Sequence, residues 1–334
     1  MSLDLNRKTV TKNAFRITKR RNYTAIRIRV PGGHLNASQI ARIAKIAEQF
    51  GDGNLHITTR QGFEIPNIPF AKMAEVNAAL RPLIEELELE HGVKIDNPAA
   101  GYPAAGMRNI SACIGNRTCP FANTDTTGLA QRIEAVVYPH DFHTKIAITG
   151  CPNDCIKAHM QDFGIIAICI PEYDYDQCIG CEACVKACQR KVTGALDMNG
   201  SKVVRDERRC IGCGECVLAC PISAWTRKPG KYYRLLVMGR TGKKNPRLAM
   251  PFLDRVNEEV VTKVIANTMA YVDRYILRCL PKEHIGYIVD RTGFNVFRDE
   301  VLQGVVLNPE ARMAKTIQWP GYNTLNDANL KTPK

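Results

Sequence analysis

Two runs of cysteine constrain this chain more than anything else in its 334 residues. Cys178-x2-Cys181-x2-Cys184-x3-Cys188 recurs 32 residues later as Cys210-x2-Cys213-x2-Cys216-x3-Cys220-Pro221. Soft thiolates at such intervals suit iron–sulfur cubanes, and in this interleaved pattern the fourth cysteine of each run serves the other cluster. The expected sets are Cys178, Cys181, Cys184 and Cys220 for one 4Fe-4S cluster, and Cys188, Cys210, Cys213 and Cys216 for the other. Zinc, with its four tetrahedral ligands, does not call for eight interleaved cysteines. Gln189 stands where the second run has Pro221, which loosens that turn without removing a ligand. Ile179-Gly180 and Ile211-Gly212-Cys213-Gly214 let backbone amides crowd the sulfurs, a lever on reduction potential.

A second constellation lies upstream: Cys113-x5-Cys119 and, after a gap of 31 residues, Cys151-x3-Cys155 within Thr149-Gly150-Cys151-Pro152-Asn153-Asp154-Cys155. Two close pairs can hold one further cubane, and a Cys-x5-Cys pair is too wide for a zinc knuckle. Pro152 suits the first turn of a helix, predicted to aim amides and positive dipole at the sulfurs. The bland alternative is four reduced cysteines packed as small hydrophobes. The start, Met1-Ser2-Leu3-Asp4-Leu5-Asn6-Arg7, carries no apolar secretory segment, so fourteen cysteines point to metal in a reducing cytosol rather than to disulfides. The longest apolar run, around Ile165–Ile170, is too short to cross a bilayer.

The formal net charge is +13, yet the Lys and Arg residues are scattered and no helix-turn-helix, zinc-finger or RNP-type signature accompanies them. That argues against nucleic acid as a partner. Cysteinyl cubanes are net anionic, and a cofactor rich in carboxylates needs forked cations, so metallocofactors absorb much of the excess.

The chain reads as α+β. Tyr23–Val30 alternates, with Ile26 and Ile28 on one side and Arg27 and Arg29 on the other, and ends at Pro31-Gly32-Gly33. Asn36 or Ser38 caps a helix carrying Ile40, Ile43, Ile46 and Phe50, stopped by Gly51 and Gly53. Leu55–Ile65 reads as a strand and Phe70–Leu89 as a helix, completing a small α/β sandwich over residues 1–90. Beyond it are expected a helix over Gly128–Val137, a strand Lys145–Thr149 delivering Cys151, and a buried strand Phe163–Ile170 with Cys169 in the core. A strand Tyr232–Val237, a long helix Leu253–Leu277 and a helical segment Phe297–Val305 follow. The eight-cysteine unit, residues 172–227, falls between two strands of one expected sheet, an insertion into a domain built from 91–171 and 228–334. The C-terminal region, with Cys279 and the tail from Lys315, offers no catalytic group by itself.

Ala112-Cys113-Ile114-Gly115-Asn116-Arg117-Thr118-Cys119-Pro120 and the Thr149–Cys155 segment resemble the sirohaem–4Fe-4S site of sulfite and nitrite reductases. The resemblance covers most of residues 15–310. It implies one half-module of that family, a small N-terminal sandwich plus a sirohaem/4Fe-4S domain, with a bacterial ferredoxin-like domain inserted. Cys113, Cys119, Cys151 and Cys155 would then hold the cubane, with Cys155 bridging to sirohaem and Arg117 and Asn153 beside the cofactor. Thr58-Thr59-Arg60-Gln61 resembles a family strand whose arginine reaches substrate and macrocycle. That assigns Arg60 to substrate and Thr58, Thr59 and Gln61 to the cofactor, with Thr58 and Arg60 on one strand face. Arg108 and Asn109, after the small-residue loop 99–106, would meet the macrocycle rim and the sulfite oxygens. Larger members carry a Lys-Phe-Lys-like segment where this chain reads Pro139-His140-Asp141-Phe142-His143-Thr144-Lys145. Lys145 is left as the substrate cation, with His143 as a second cation or proton donor. The segment Gly239–Arg247 lacks the Walker order and resembles the one that grips the macrocycle's carboxylates, through Arg240, Lys243, Lys244 and Arg247.

The implied activity is six-electron reduction of sulfite to sulfide, with sirohaem and three 4Fe-4S clusters passing electrons singly. Reduction of nitrite to ammonia is the neighbouring reading. A polyferredoxin-like carrier is the distant one, and it leaves Arg60, Cys113–Cys155 and the 240s loop without a purpose. With no flavin or nicotinamide fingerprint, the resemblance to anaerobic sulfite reductases implies an iron–sulfur subunit and a flavin-containing, NADH-oxidising subunit as donors. Larger members have two pseudo-symmetric halves, so a second copy of this chain or a partner is expected to supply the other.

Overall fold

Alternating burial builds the first layer. The structure is a computed structural model and describes residues 14–90, 92–93, 108–138, 140, 142–242, 246–279 and 283–318. The loop 99–106, Lys243, Lys244 and the last sixteen residues, 319–334, lie outside the described residues. Strands β1 (Phe15–Ile17), β2 (Tyr23–Ile28), β3 (His56–Ile57) and β4 (Phe63–Pro69) form an antiparallel sheet in the order β1-β2-β4-β3. Helices α1 (Ala37–Phe50) and α2 (Met73–Glu90) pack Ile43, Ile46, Phe50, Val76, Leu80 and Leu83 onto Ile26, Ile28, Ile65 and Ile68. Asn36 caps α1 in a reciprocal box with Gln39, and the Gly51 N–H closes on the Ala47 carbonyl.

Leu55–Ile65 is not one strand. Thr58 N–H donates to the Gly62 carbonyl and Gln61 N–H to the Thr58 carbonyl, so the chain turns here, with Gln61 at φ 63°. A Cβ on Gly62 would lie 2.7 Å from the Ile28 carbonyl oxygen, which leaves room for glycine alone. Thr58 and Arg60 therefore belong to a turn and share no strand face.

The main sheet begins with β5 (Ser111–Ala112), β6 (Ile146–Thr149) and β7 (Phe163–Ile168), parallel neighbours. Helix α3 (Thr126–Val137), capped by Asp125, links the first two. The inserted unit follows: β8 (Pro171–Tyr173), α4 (Ala183–Lys191), β9 (Leu196–Asn199), β10 (Lys202–Arg205), α5 (Glu215–Ala219) and β11 (Trp225–Arg227). Its two helices start 32 residues apart, the period of the cysteine repeat. Gly180 and Gly212, equivalent in that repeat, take φ 70° and 73°, and a Cβ would meet carbonyl oxygens of Ser201 and Cys169 at 2.6 and 2.7 Å.

The chain re-enters the main sheet as β12 (Tyr232–Val237), which pairs antiparallel with the whole of β7, from Tyr232–Ile168 to Val237–Phe163. β8 and β11 pair antiparallel just beyond, so the insertion leaves and returns through adjacent strands. β13 (Met250–Val256) and β14 (Arg312–Met313) complete the order β14-β13-β12-β7-β6-β5. The expected helix Leu253–Leu277 is thus a strand and then α6 (Glu258–Tyr275), because Leu253 pairs with β12 and the Asn257 side chain caps the Val260 N–H. Helices α7 (Ile285–Thr292) and α8 (Phe294–Val301) close the core with Phe252, Val261, Ile265, Ile288 and Phe297. Among the described residues no helix is long and apolar enough to cross a membrane.

Candidate functional site

Two amide side chains seat the Thr58–Gly62 turn on the main sheet. The Gln61 Nε2 donates to the Ala112 carbonyl and its Oε1 accepts from the Ala112 N–H, both at 2.8 Å. The Asn109 Nδ2 donates to the carbonyls of Val30 (2.8 Å) and Arg60 (2.6 Å), while its Oδ1 accepts from the Val30 N–H. Gln61 and Asn109 thus serve the joint between the two sheets, and what they fix is Arg60.

Around Arg60 the structure gathers most of the expected substrate cations. Arg60 Nε is buried and has no hydrogen-bond partner among the described residues. Burial pulls the Arg60 pKa down, an effect that Asp162 opposes. Arg108, whose N–H donates to the Thr144 carbonyl, is pulled down to about 10 by burial and then by Arg27, Arg60, Arg16 and Arg29. Glu64 answers Arg27 at 2.6 Å and Glu134 answers Arg29, but no carboxylate among the described residues ion-pairs with Arg60 or Arg108. Half-buried positive charge in this excess would suit an anion. His143 lies with Nδ1 3.2 Å from Arg108 Nη2. Lys145 is 5 % exposed, its N–H donating to Asp162 and its Nζ to the Thr241 carbonyl at 2.7 Å.

The four-cysteine loop starts where β5 ends. Cys113 N–H donates to the Ile148 carbonyl, and Gly150 N–H to Cys113 Sγ at 3.1 Å. No helix follows Pro152. Asp154 sits at φ 50°, and its carboxylate accepts from the Ala158 and His159 N–H groups and approaches His159 Nδ1 at 2.6 Å. A left-handed residue breaks the helical run, and its side chain pins the turn that carries Cys155. Burial pushes the Cys151 thiol up; Cys119, Cys155 and Cys113 push the same way while the Asn153 amide opposes, so one electrostatic neighbourhood contains all four thiols. Cys155 alone of the four is exposed.

The remaining expected cofactor residues are dispersed. Thr58 is half-buried and Thr59 exposed on the turn. Arg117 is exposed and donates to Thr127. The Arg240 guanidinium lies 4.1 Å over the Tyr287 ring, and Arg247 is engaged by Asp290 at 2.5 Å, so both address α7.

Within the inserted unit, burial raises the Cys184 thiol with Cys220 adding to it, and Tyr173 feels Cys178 and Cys184. Burial likewise raises Cys213, with Cys210 and Cys188 adding, and Cys216, with Cys169, Cys213 and Cys210 adding. Cys184 is thus within electrostatic reach of Cys220 across the repeat, and Cys213 of Cys188, while the sulfur acting most on Cys216 is that of Cys169. Ala195 N–H donates to Cys188 Sγ at 3.2 Å. A cleft of about 240 Å³ separates this unit from the four-cysteine loop, lined by Cys151, Pro152 and Asn153 on one side and Cys213, Ile211 and Lys191 on the other. Among the described residues no three His, Cys, Asp or Glu side chains gather closely enough to grip a single metal ion; a cubane, ligated at its corners, asks for a wider set.

Sequence reasoning missed Asp162 and His284, which lie against Lys145 and His143. A carboxylate abutting the apolar run Phe163–Ile168 was the only sequence signal for the pair.

Residues 104–306 match the family described as the nitrite and sulphite reductase 4Fe-4S domain, and residues 16–83 its ferredoxin-like half domain. The chain belongs to the nitrite and sulphite reductase family. Within it, this chain is 45% identical over 334 residues, 99% of each chain, to one of the subunits of the anaerobic sulfite reductase of Salmonella typhimurium. It is 27% identical over 163 residues to the chloroplastic ferredoxin–nitrite reductase of Zea mays, 47% of this chain and 26% of that one. The crystal structure of dissimilatory sulfite reductase I has the same fold, with a TM-score of 0.61 at 16% identity, covering 90% of this chain and 75% of that chain.

Proposed function

We propose that this chain is the catalytic subunit of a sulfite reductase, taking sulfite to sulfide with six electrons. The observation that carries the reading is the half-buried cation group beside the four-cysteine loop, in which Arg60 and Arg108 have no carboxylate partner among the described residues. A carrier of electrons alone has no use for such a group. The residues present fit a sirohaem–cubane pair: four thiols in one neighbourhood, amides of Gly150 and Asn153 on their sulfurs, an exposed Cys155 for the bridging position, and a buried guanidinium nitrogen wanting an acceptor. When bound, that pair supplies the iron at which sulfur is reduced and the route by which electrons reach it.

Arg60 and Arg108 hold the oxyanion by charge-assisted hydrogen bonds, and Gln61 and Asn109 keep Arg60 in place. His143 and Lys145 stand where departing oxygens need protons. Arg240, Lys243 and Lys244 are assigned to the macrocycle's carboxylates, on the loop whose Thr241 carbonyl accepts from Lys145. Cys188, Cys210, Cys213 and Cys216 hold the inner relay cluster, because Cys213 and Cys151 line one cleft. Cys178, Cys181, Cys184 and Cys220 hold the outer one, with Cys181 exposed toward an electron-donating partner protein. The Salmonella relative's designation as one subunit among others supports such partners.

Anaerobically purified protein should contain about twelve cluster irons and one sirohaem iron. It should show sirohaem absorption bands and form sulfide from sulfite with a reduced viologen, with nitrite as the competing substrate. A spectrum of ferredoxin type alone would overturn the reading.

A further inference from the structure

The Arg227 guanidinium stands between the eight-cysteine unit and the four-cysteine loop. Arg227, the last residue of β11, pairs in register with Pro171 of β8 and is half-buried. Its planar group lies along Gly214, the residue between Cys213 and Glu215: a Cβ there would sit 3.3 Å from both Nη1 and Nη2. Gly214 takes φ 79° and caps α5, whose Val217 and Leu218 N–H groups donate to its carbonyl. The guanidinium therefore packs on the turn that joins two expected cluster ligands, Cys213 and Cys216. On its other side Nη1 donates to Asn123 Oδ1. The Asn123 N–H donates to the Gly150 carbonyl at 2.7 Å, and the Gly150 N–H to Cys113 Sγ at 3.1 Å. Arg227 thus touches the ligand loop of one cysteine set and reaches the other through Asn123.

Charge decides what such a contact does. The donor set fits a cubane here: Ala195 N–H donates to Cys188 Sγ, and Cys213 lies within electrostatic reach of Cys210 and Cys188. Burial pushes the nearby Cys169 thiol up to about 11, and of the charges around it Arg227 opposes the rise most. Arg205 opposes it less and is ion-paired with Glu207, while Lys191 and Glu215 answer each other at 3.7 Å. Among the described residues no carboxylate ion-pairs with Arg227, so its charge is left uncompensated. We propose that Arg227 is a positioning residue of the electron path: it makes the inner relay cluster easier to reduce and holds its ligand loop to the four-cysteine loop through Asn123. The inference rests on the proposed relay. Each electron taken from the reduced partner protein adds one negative charge at the inner site, with no bond or proton moved. The fixed charge of a guanidinium stabilises that addition. The same electron then leaves for the four-cysteine site, one oxidation for one reduction.

The test is anaerobic redox titration of the holoprotein followed by electron paramagnetic resonance, the inner signal being the one that Cys213→Ser removes. Arg227→Gln should lower the inner cluster's reduction equilibrium about tenfold, about 59 mV for one electron, and the outer cluster's by less. Arg227→Lys keeps the charge and should restore most of the shift. Asn123→Asp leaves Arg227 in place but sets a carboxylate against it, and should lower the inner midpoint as well. An inner midpoint unchanged in Arg227→Gln, or equal shifts of the two clusters, would overturn the proposal. So would equal shifts in Arg227→Gln and Arg227→Lys. If Arg227→Gln loses its inner cluster, an unchanged inner midpoint in Asn123→Asp overturns it. Loss of that cluster from both variants would mark a structural clamp and overturn it too. Protein without ferredoxin-type clusters would bring down the relay reading itself; with both clusters present and indifferent to Arg227, this proposal alone falls.

Discussion

Glu88 places a pH-sensitive joint between the N-terminal sandwich and the main domain. It lies on α2, 3 % exposed, with Oε2 buried and without a partner among the described residues. Beside it Arg29, just after β2, grips Glu134 of α3 with Nε–Oε1 at 2.8 Å and Nη2–Oε2 at 2.6 Å. Arg29 and Glu134 balance, so a charge on Glu88 would be one carboxylate too many. Burial, then Glu134, push the Glu88 pKa from 4.5 to about 8, against the pull of Arg29. A raised carboxyl pKa leaves stability intact below pH 4.5 and removes it as pH climbs, the loss being complete above about 8. At about 1.36 kcal/mol per pH unit the whole interval is worth about 5 kcal/mol, roughly half of it between pH 6 and pH 9. Glu88→Gln keeps the shape and removes the titration. Anaerobic denaturant unfolding followed by far-UV circular dichroism, run on both proteins at pH 6 and 9, isolates this group because the clusters' own pH dependence cancels in the difference. The variant's advantage should grow by about 2.5 kcal/mol from pH 6 to pH 9. An advantage that is the same at both pH values would refute the reasoning.

Cys155→Ser should separate cubane from sirohaem and abolish sulfide formation, read as loss of cluster–haem coupling in electron paramagnetic resonance; near-normal sulfide output would refute the bridging assignment. Cys213→Ser should leave sirohaem absorption in place but cut turnover with the protein donor to a small fraction, through loss of the inner relay cluster. Unchanged turnover with that donor would remove the cluster from the path.

Chemistry that depends on covalent ligands is written in spacing, so the cysteine sets could be proposed without a structure. Conformation that depends on one backbone angle was not. The alternation through Leu55–Ile65 hides the turn because Gln61 at φ 63° has the composition of a strand residue. The helix after Pro152 fails for a similar reason, Asp154 taking a left-handed conformation that its own carboxylate stabilises. Leu253–Leu277 read as one helix because both halves are apolar; the sheet partner β12, distant in sequence, decides where the strand ends. Gln61 and Asn109 looked like cofactor ligands, and only the docked sheets reveal backbone partners for their amides. His284 is one histidine in a stretch without a motif, and its meaning comes from Asp162, 122 residues away.

The same sheet anchors the eight-cysteine unit at both ends. Under the proposed relay, electrons would cross the cleft between Cys151 and Cys213, and its width would then have to be kept. A tail on a single linker could swing. Here the unit departs from β7 and returns in β12, whose residues pair over the full length of both strands, and β8 with β11 extends the neck by a further antiparallel ladder. Arg227, at the end of β11, donates to Asn123, whose N–H donates to the Gly150 carbonyl beside Cys151. The neck therefore reaches the four-cysteine loop through hydrogen bonds as well as through the chain. The strands from which the unit departs and to which it returns, β7 and β12, both contribute residues to the main core.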